Sequence, residues 1–269
     1  MKTGRAASAA LLSLALLLGG CATVPAGGGA PAPGDPWENF NRKVYAFNDT
    51  LDEAVMKPVA KAYKAVLPQL VRTGISNVLG NIGDVWSAAN HLLQGKVHTG
   101  LDMGMRVITN TVFGLGGLLD PATEVGLVRR SEDFGQTLGR WGVGAGPYLV
   151  LPLLGPSTLR DGSSLLVDRQ FAASTLAKSD NTGYAITGVE VVNLRAGLLD
   201  TTQLLDAVAL DRYSFVRQAY LSRRLDLVYD GAPPMETLDD PGDEPAKPAA
   251  PGAAASAATP ARAASTPPK

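Results

Sequence analysis

Nineteen consecutive residues without a charge, Trp141 to Leu159 (WGVGAGPYLVLPLLGPSTL), set the tightest limit on what this chain can fold into. The run is close to the length of a membrane-spanning helix, about 20 residues. Yet it holds four glycines and three prolines, Pro147, Pro152 and Pro156. A lipid-facing helix with that many breakers would leave backbone N–H and C=O groups unpaired in hydrocarbon. Two readings remain. One is a buried loop in a water-soluble core. The other is irregular backbone lining a cavity or hairpin of a protein embedded in one leaflet, where protein or water covers it.

The two ends of the chain read as addresses and spacers. Met1 to Arg5 is basic, Ala6 to Leu18 apolar and Gly19-Gly20 small, the layout of a secretory signal over residues 1–20. The single cysteine, Cys21, follows Leu18-Gly19-Gly20 directly. Leu-x-Gly-Cys resembles the bacterial lipobox, in which the thiol is diacylated and the cysteine becomes the new N-terminus. Cys21 is thus the expected lipid attachment, and Ala22 in place of Asp points to sorting to the outer membrane. Two or more acyl chains anchor stably where one does not. Residues 21–34 add a flexible tether. Of residues 241–269, 18 are Ala or Pro, so 231–269 is expected to be a disordered tail that buries no core. The body, 35–230, is long enough for a single core.

Within the body apolar residues recur at helical spacing. Asp35-Pro36 reads as an N-cap with proline at the first helical position. Trp37, Phe40, Val44, Phe47 and Leu51 follow as one stripe. Pro58 is expected to break or restart the helix, which Val59, Tyr63, Val66 and Leu67 continue up to Pro68. Further helices are predicted over Val71–Leu79, over Ile82–Leu93 and along Leu101, Met105, Ile108 and Val112. Ile186, Val189 and Val192, then Leu204, Leu205 and Val208, and finally Tyr213, Val216, Tyr220 and Leu227 mark the C-terminal helices. No strong strand alternation is visible, so the body reads as mostly α.

Composition and motifs exclude several function classes. With 24 basic and 25 acidic residues the chain lacks the positive field that nucleic-acid binding needs. Removing Lys2 and Arg5 with the signal leaves 22 basic against 25 acidic residues, a net charge of −3. One cysteine excludes an intrachain disulfide and any Cys-cluster zinc site. His91 and His98 lie seven apart with no HExxH, and there is neither a GxSxG elbow nor a GxxxxGK[ST] loop. Gly142-x-Gly144-x-Gly146 runs into Pro147 rather than into a phosphate-facing helix. Asp102, Asp120, Glu132 and Asp133 read as caps and solvated groups. No catalytic residue, metal ligand or cofactor site is expected.

Several longer motifs carry a family likeness: DPWENFNR (35–42), FN (47–48), KPVA (57–60), GISNVLGN (74–81), LLQG (92–95), NTVFGLGGLLDPA (110–122), EDFGQTLGRWGVGAGPYLVLP (132–152), STLRDG (157–162) and VRQAY (216–220). In this order they resemble the MlaA (VacJ) family of outer-membrane lipoproteins across nearly all of 35–230. The departures are the Ala/Pro tail and Ala46, where an Asn is often met. The resemblance implies an all-α fold, a ring-shaped bundle of amphipathic helices lying in the inner leaflet of the outer membrane around a central pore, with a short irregular Gly-rich hairpin. It also implies a function: taking mislocalised phospholipid from the outer leaflet and passing it to a periplasmic MlaC-like carrier, beside a trimeric porin. The alternative is a structural lipoprotein that scaffolds a porin or envelope complex without conducting lipid. On this reading Phe134, Gly135, Leu138, Gly139, Trp141, Gly142, Gly144 and Gly146 form a mobile hairpin at the pore. Phe47 and Asn48 bear on gating, and Leu115, Leu118 and Leu119 insert into the leaflet.

Overall fold

The computed structural model describes residues 34–234, with the backbone alone for 204–208. The expected signal segment, Cys21, most of the expected tether and most of the Ala/Pro-rich tail lie outside the described residues. The body is mostly helical, as expected, and adds one small sheet that was not.

Helix α1 (Glu38–Leu51) runs without interruption through a π-helical turn, Asp52–Met56, into α2 (Lys57–Val66). Pro58 therefore restarts the helix, as one of the two expected outcomes, in the first turn of α2. Within the π turn the Lys57 N–H reaches back five residues to the Asp52 carbonyl. That wider turn accommodates a proline, which has no N–H to offer the next rung. Helix α2 ends at Leu67, which is forced extended (ψ 122°) by the ring of Pro68. Helix α3 (Gln69–Leu93) is a single 25-residue helix where two were predicted; Gly80 and Gly83 are carried inside it. At about 1.5 Å per residue it is long enough to cross a bilayer. Its buried face, however, is Asn81, Asp84, Ser87, Asn90 and His91. Among the described residues no helix is long and apolar enough to cross a membrane.

Helix α4 (Val97–Val112) packs along α3, and Gly100 makes room for the Leu92 side chain there: a Cβ would lie 2.7 Å from Leu92 Cδ2. The short α5 (Pro121–Glu124) and α6 (Phe134–Arg140) are capped by Asp120 and Asp133, whose side chains accept the N–H of Thr123 and Gln136. The uncharged stretch then forms an antiparallel hairpin that the sequence pattern did not predict, β1 (Tyr148–Leu151) and β2 (Gly155–Thr158), with Tyr148 opposite Thr158 and Leu151 opposite Gly155. Helix α7 (Leu159–Asp168) follows, capped by Thr158. Two 3₁₀ turns (Arg169–Phe171, Ala173–Leu176) lead to α8 (Asp180–Val208), one 29-residue helix, and to α9 (Arg212–Val228).

The packing is inverted relative to a water-soluble bundle. Two small apolar clusters are buried, Ala60, Ala196 and Leu199 with Tyr63, and Tyr148, Val150 and Tyr213 with Val44, Tyr45, Tyr220 and Leu221. Most of the other buried positions are polar or charged. Helix α4 shows this most clearly. Its predicted stripe is intact, but Leu101, Met105, Ile108 and Val112 are 61, 53, 55 and 64% exposed, while Arg106 and Asn110 on the opposite face are buried. Trp37, Phe40 and Phe47 of α1 likewise face outward and Asn41 inward.

Candidate functional site

Two asparagines on α1 hold the hairpin. Asn41 Nδ2 donates to the Tyr148 carbonyl (3.1 Å) and its Oδ1 accepts the Val150 N–H (2.9 Å). Seven residues on, Asn48 Nδ2 donates to the Leu151 carbonyl (3.0 Å) and its Oδ1 accepts the Leu153 N–H (2.8 Å). Two helical turns separate them, so both amides lie on one face and act in place of a third strand along β1. The expected gating pair thus divides. Asn48 grips the hairpin tip, while its neighbour Phe47 points outward.

Asp35 does not cap α1 as predicted; its carboxylate is fully buried. It accepts from Asn41 Nδ2 (2.8 Å), from Arg217 Nη1 (3.1 Å) and from the Tyr213 hydroxyl. A buried carboxylate is tolerable only when fully paired, and the DPWENFNR and VRQAY motifs supply the pairing from opposite ends of the chain.

The segment expected to be an irregular hairpin, Phe134 to Gly146, is instead helix α6 followed by a loop. Gly135 is required by close approach: a Cβ there would sit 2.7 Å from Asp161 Oδ1 and 2.8 Å from Arg224 Nη2. Gly139 faces Arg160 and Val228 as tightly, and Gly142 has φ +93°, a left-handed conformation that only glycine adopts freely. Gly144 meets open space, and Gly146 adjoins Leu159. Leu138 is half-buried. Phe134 and Trp141 meet edge to face at 6.2 Å, and Trp141 Nε1 donates to the Leu93 carbonyl (3.0 Å).

Beside Gly135 lies a hub with no signal in the residue pattern. Arg224 is bidentate to Asp133 (2.6 and 3.0 Å) and also bonds both oxygens of Asp161 (2.9 Å each), while the Tyr220 hydroxyl donates to Asp161 Oδ2 (2.8 Å). Burial works to raise the Asp133 and Asp161 carboxyls, but the Arg224 guanidinium overcomes it and holds both below the usual carboxylate range. A second hub centres on the buried Arg106, which donates to Asp84 (3.1 Å), Asp120 (2.5 Å), Thr123 (2.9 Å) and the Leu127 carbonyl (2.5 Å). Asp120 and Asp133 are caps, as read from the sequence, but they and the buried Glu132 are not simply solvated.

Leu115 and Leu119 are exposed in the turn after α4, Leu115 with φ +54°. Leu118, also exposed in part, lays its Cδ1 over Gly74 of α3.

A cavity of ≈ 730 Å³ opens between the 3₁₀ turns and the start of α8. Hydroxyls of Ser174, Thr175, Ser179 and Thr187 line it with Asp168, Arg169, Asp180 and Glu190. Asp168 ties this cavity to α6 and α3: its Oδ1 accepts the Phe134 N–H (2.9 Å) and Trp86 Nε1–H (2.7 Å), and Trp86 stacks on Phe171 at 3.7 Å. Burial raises the Asp168 carboxyl despite those donors. Asp168 also lines a smaller cavity of ≈ 190 Å³ shared with Leu151 and Leu154 of the hairpin. Asp168 thus borders both cavities, and the smaller one also touches the hairpin that Asn48 holds. Among the described residues no cluster of His, Cys, Asp and Glu is arranged to hold a metal ion.

Comparison with known proteins follows the same lines. The family described as MlaA lipoprotein matches residues 33–226. The intermembrane phospholipid transport system lipoprotein MlaA of Escherichia coli (strain K12) is 38% identical over 221 residues, 80% of this chain and 85% of that protein. The protein of the same name from Haemophilus influenzae is 32% identical over 235 residues, 86% of this chain and 93% of that one. A solved structure described as "Structural basis for maintenance of bacterial outer membrane lipid asymmetry" superposes with a TM-score of 0.65 at 36% identity, covering 72% of this chain and 98% of that chain.

Proposed function

This chain belongs to the MlaA lipoprotein family, and on that premise we propose that it is an outer-membrane lipoprotein, anchored through Cys21. It takes mislocalised phospholipid from the outer leaflet and passes it through a polar path to a periplasmic carrier. The observation that carries the reading is the inverted packing: apolar stripes outward, carboxylates, amides and guanidiniums inward. Outward apolar faces on helices too polar to span suit a body lying in one leaflet. A charged headgroup dragged through hydrocarbon loses its hydration at large cost, whereas a hydroxyl-lined opening replaces those hydrogen bonds. In this reading the ≈ 730 Å³ cavity receives the headgroup, with Arg169 available to its phosphate, and the acyl chains stay against the apolar exterior. No covalent chemistry or nucleotide is needed; direction comes from the carrier that removes the product. The outward aromatics and aliphatics also offer a surface to a trimeric porin.

Phe134 to Gly146 and Phe47-Asn48 are proposed to gate the path. Support comes from the Phe134 N–H bond to Asp168 at the cavity wall and from Asn48's hold on the hairpin that borders the smaller cavity with Asp168. The test is amine labelling of outer-leaflet phosphatidylethanolamine in cells that lack the chain. Labelling rises without it and falls when the wild-type chain returns. Ser174→Trp with Thr187→Trp, which fill the cavity, fail to restore it at equal expression and equal porin association. Full restoration by the filled variant refutes conduction and leaves the scaffold role.

A further inference from the structure

A second, larger cavity, ≈ 1140 Å³, opens elsewhere in the body, between the start of α4, the segment before α6 and the end of α9. It shares no lining residue with the hydroxyl-lined cavity. Five cations and four carboxylates line it, so the question is which of them are already satisfied. Lys96 is held by Glu132 (3.1 Å) and Asp230 (2.6 Å), and Arg224 by Asp133 (2.6 Å). Arg129 gives its Nε to Asp84, yet its Nη2 is buried and has no partner. The guanidiniums of Arg130 and Arg223 have no side-chain partner among the described residues, against one free carboxylate, Asp226. The cavity therefore carries unspent donors.

A deeper observation points the same way. The His91 side chain, 2% exposed, lies in the wall of this cavity. Its Nε2 donates to the Arg130 carbonyl (3.1 Å), and its Nδ1 is left without a partner, 3.8 Å from Glu132 Oε1. Leaving a buried ring nitrogen unpaired costs roughly 1–3 kcal/mol, so such an atom marks a place where a hydrogen-bonding group belongs.

We propose that this cavity is a phosphate-binding site, taking the phosphate of a lipid headgroup or free phosphate on the forks of Arg130 and Arg223 with Arg129 Nη2 behind them. A guanidinium presents a planar pair of donors that matches two oxygens of a phosphate. A water carried with the phosphate completes His91 Nδ1, which accepts when Nε2 carries the proton. Asp226 sits three residues along α9 from Arg223, so an ammonium attached to the phosphate finds a counter-charge on the rim.

The test uses the full-length acylated chain in nanodiscs of phosphatidylcholine. Binding is followed by calorimetry with two probes, inorganic phosphate and glycerophosphoethanolamine, which is the headgroup without acyl chains. Arg130 and Arg223 are exposed, so Arg130→Gln with Arg223→Gln leaves the fold intact by circular dichroism, and it weakens both probes about tenfold or more. Arg169→Gln, in the other cavity, removes only binding that persists in the double variant. A lipid source is indicated if glycerophosphoethanolamine binds more tightly than phosphate and Asp226→Asn removes only that advantage; equal affinities indicate free phosphate. Absence of saturable binding for either probe, or binding indifferent to the double variant, overturns the proposal. Neither result touches the cavity-filling test of lipid conduction, which involves none of these residues.

Discussion

The outward face of α4 offers the sharpest test of the inverted packing. Consider Leu101→Gln, Met105→Gln, Ile108→Gln and Val112→Gln together, in a chain also carrying Cys21→Ser so that no acyl anchor contributes. Complete burial of such a side chain is worth about 1.5–3 kcal/mol. Between 53 and 64% of each is still accessible, so a leaflet gains a little over half of that from each residue. The four together amount to about 5 kcal/mol. Glutamine matches these residues in helix propensity to within about 0.5 kcal/mol, so the helix itself is spared. The assay is co-sedimentation with vesicles across a range of lipid concentration. The expected result is a partition coefficient lower by about three to four powers of ten, with the thermal transition in detergent unchanged. If partitioning stays within about a factor of two while the transition temperature falls by many degrees, the face is a packed core surface and the reasoning is wrong.

Three further outcomes follow from the polar interior. Arg106→Met leaves Asp120 without its cation and Asp84 with Arg129 alone, and is expected to cost about 3–5 kcal/mol in urea unfolding; a loss below about 1 kcal/mol would show that this hub does not hold α4 to its neighbours. Asn48→Leu removes the acceptor of the Leu153 N–H, so hydrogen exchange at Leu153 accelerates about tenfold or more while Val150, bonded to Asn41, stays protected; equal acceleration at both would contradict two separate clamps. Burial works to raise the Asp120 carboxyl, but hydrogen bonds from Thr123, Arg106 and Asn110 overcome it and bring its pKa down from 3.8 to about 2. Its contribution is therefore complete above about pH 4 and disappears as pH falls through about 2. Asp120→Asn should flatten the acid limb of the stability curve by about 1 kcal/mol, the rest being screened at its water-facing edge; an unchanged limb would count against the assignment.

Helix existence and stripe membership were legible in the residues because the 3.6-residue period is local. Leu101, Met105, Ile108 and Val112 fall on one face whatever surrounds them. Which way the face points was not legible, since periodicity is identical for a stripe buried in protein and one offered to lipid. The reverse face held the clue: beside Gly100 and Met103 it carries Arg106 and Asn110, too polar for an ordinary core. Pro58 marked a restart in the first turn of α2, after a π turn, whereas Gly80 and Gly83 misled because α3 is held by its packing on α4 rather than by propensity. The strands of 148–158 escaped because their partner is partly a helix: Asn41 and Asn48 supply hydrogen bonds that another strand would give.

The sequence by itself determined the helical class, the order and stripes of the helices and the family, all of which reside in local spacing and short motifs. Tertiary structure decided the rest: that Asp35 meets Arg217, that Asp133 and Asp161 share Arg224, that His91 is left with an unpaired nitrogen, and that grease faces out while charge faces in. Ion pairs and cavities join residues tens to nearly two hundred positions apart, and the strength of each depends on burial that no local window contains.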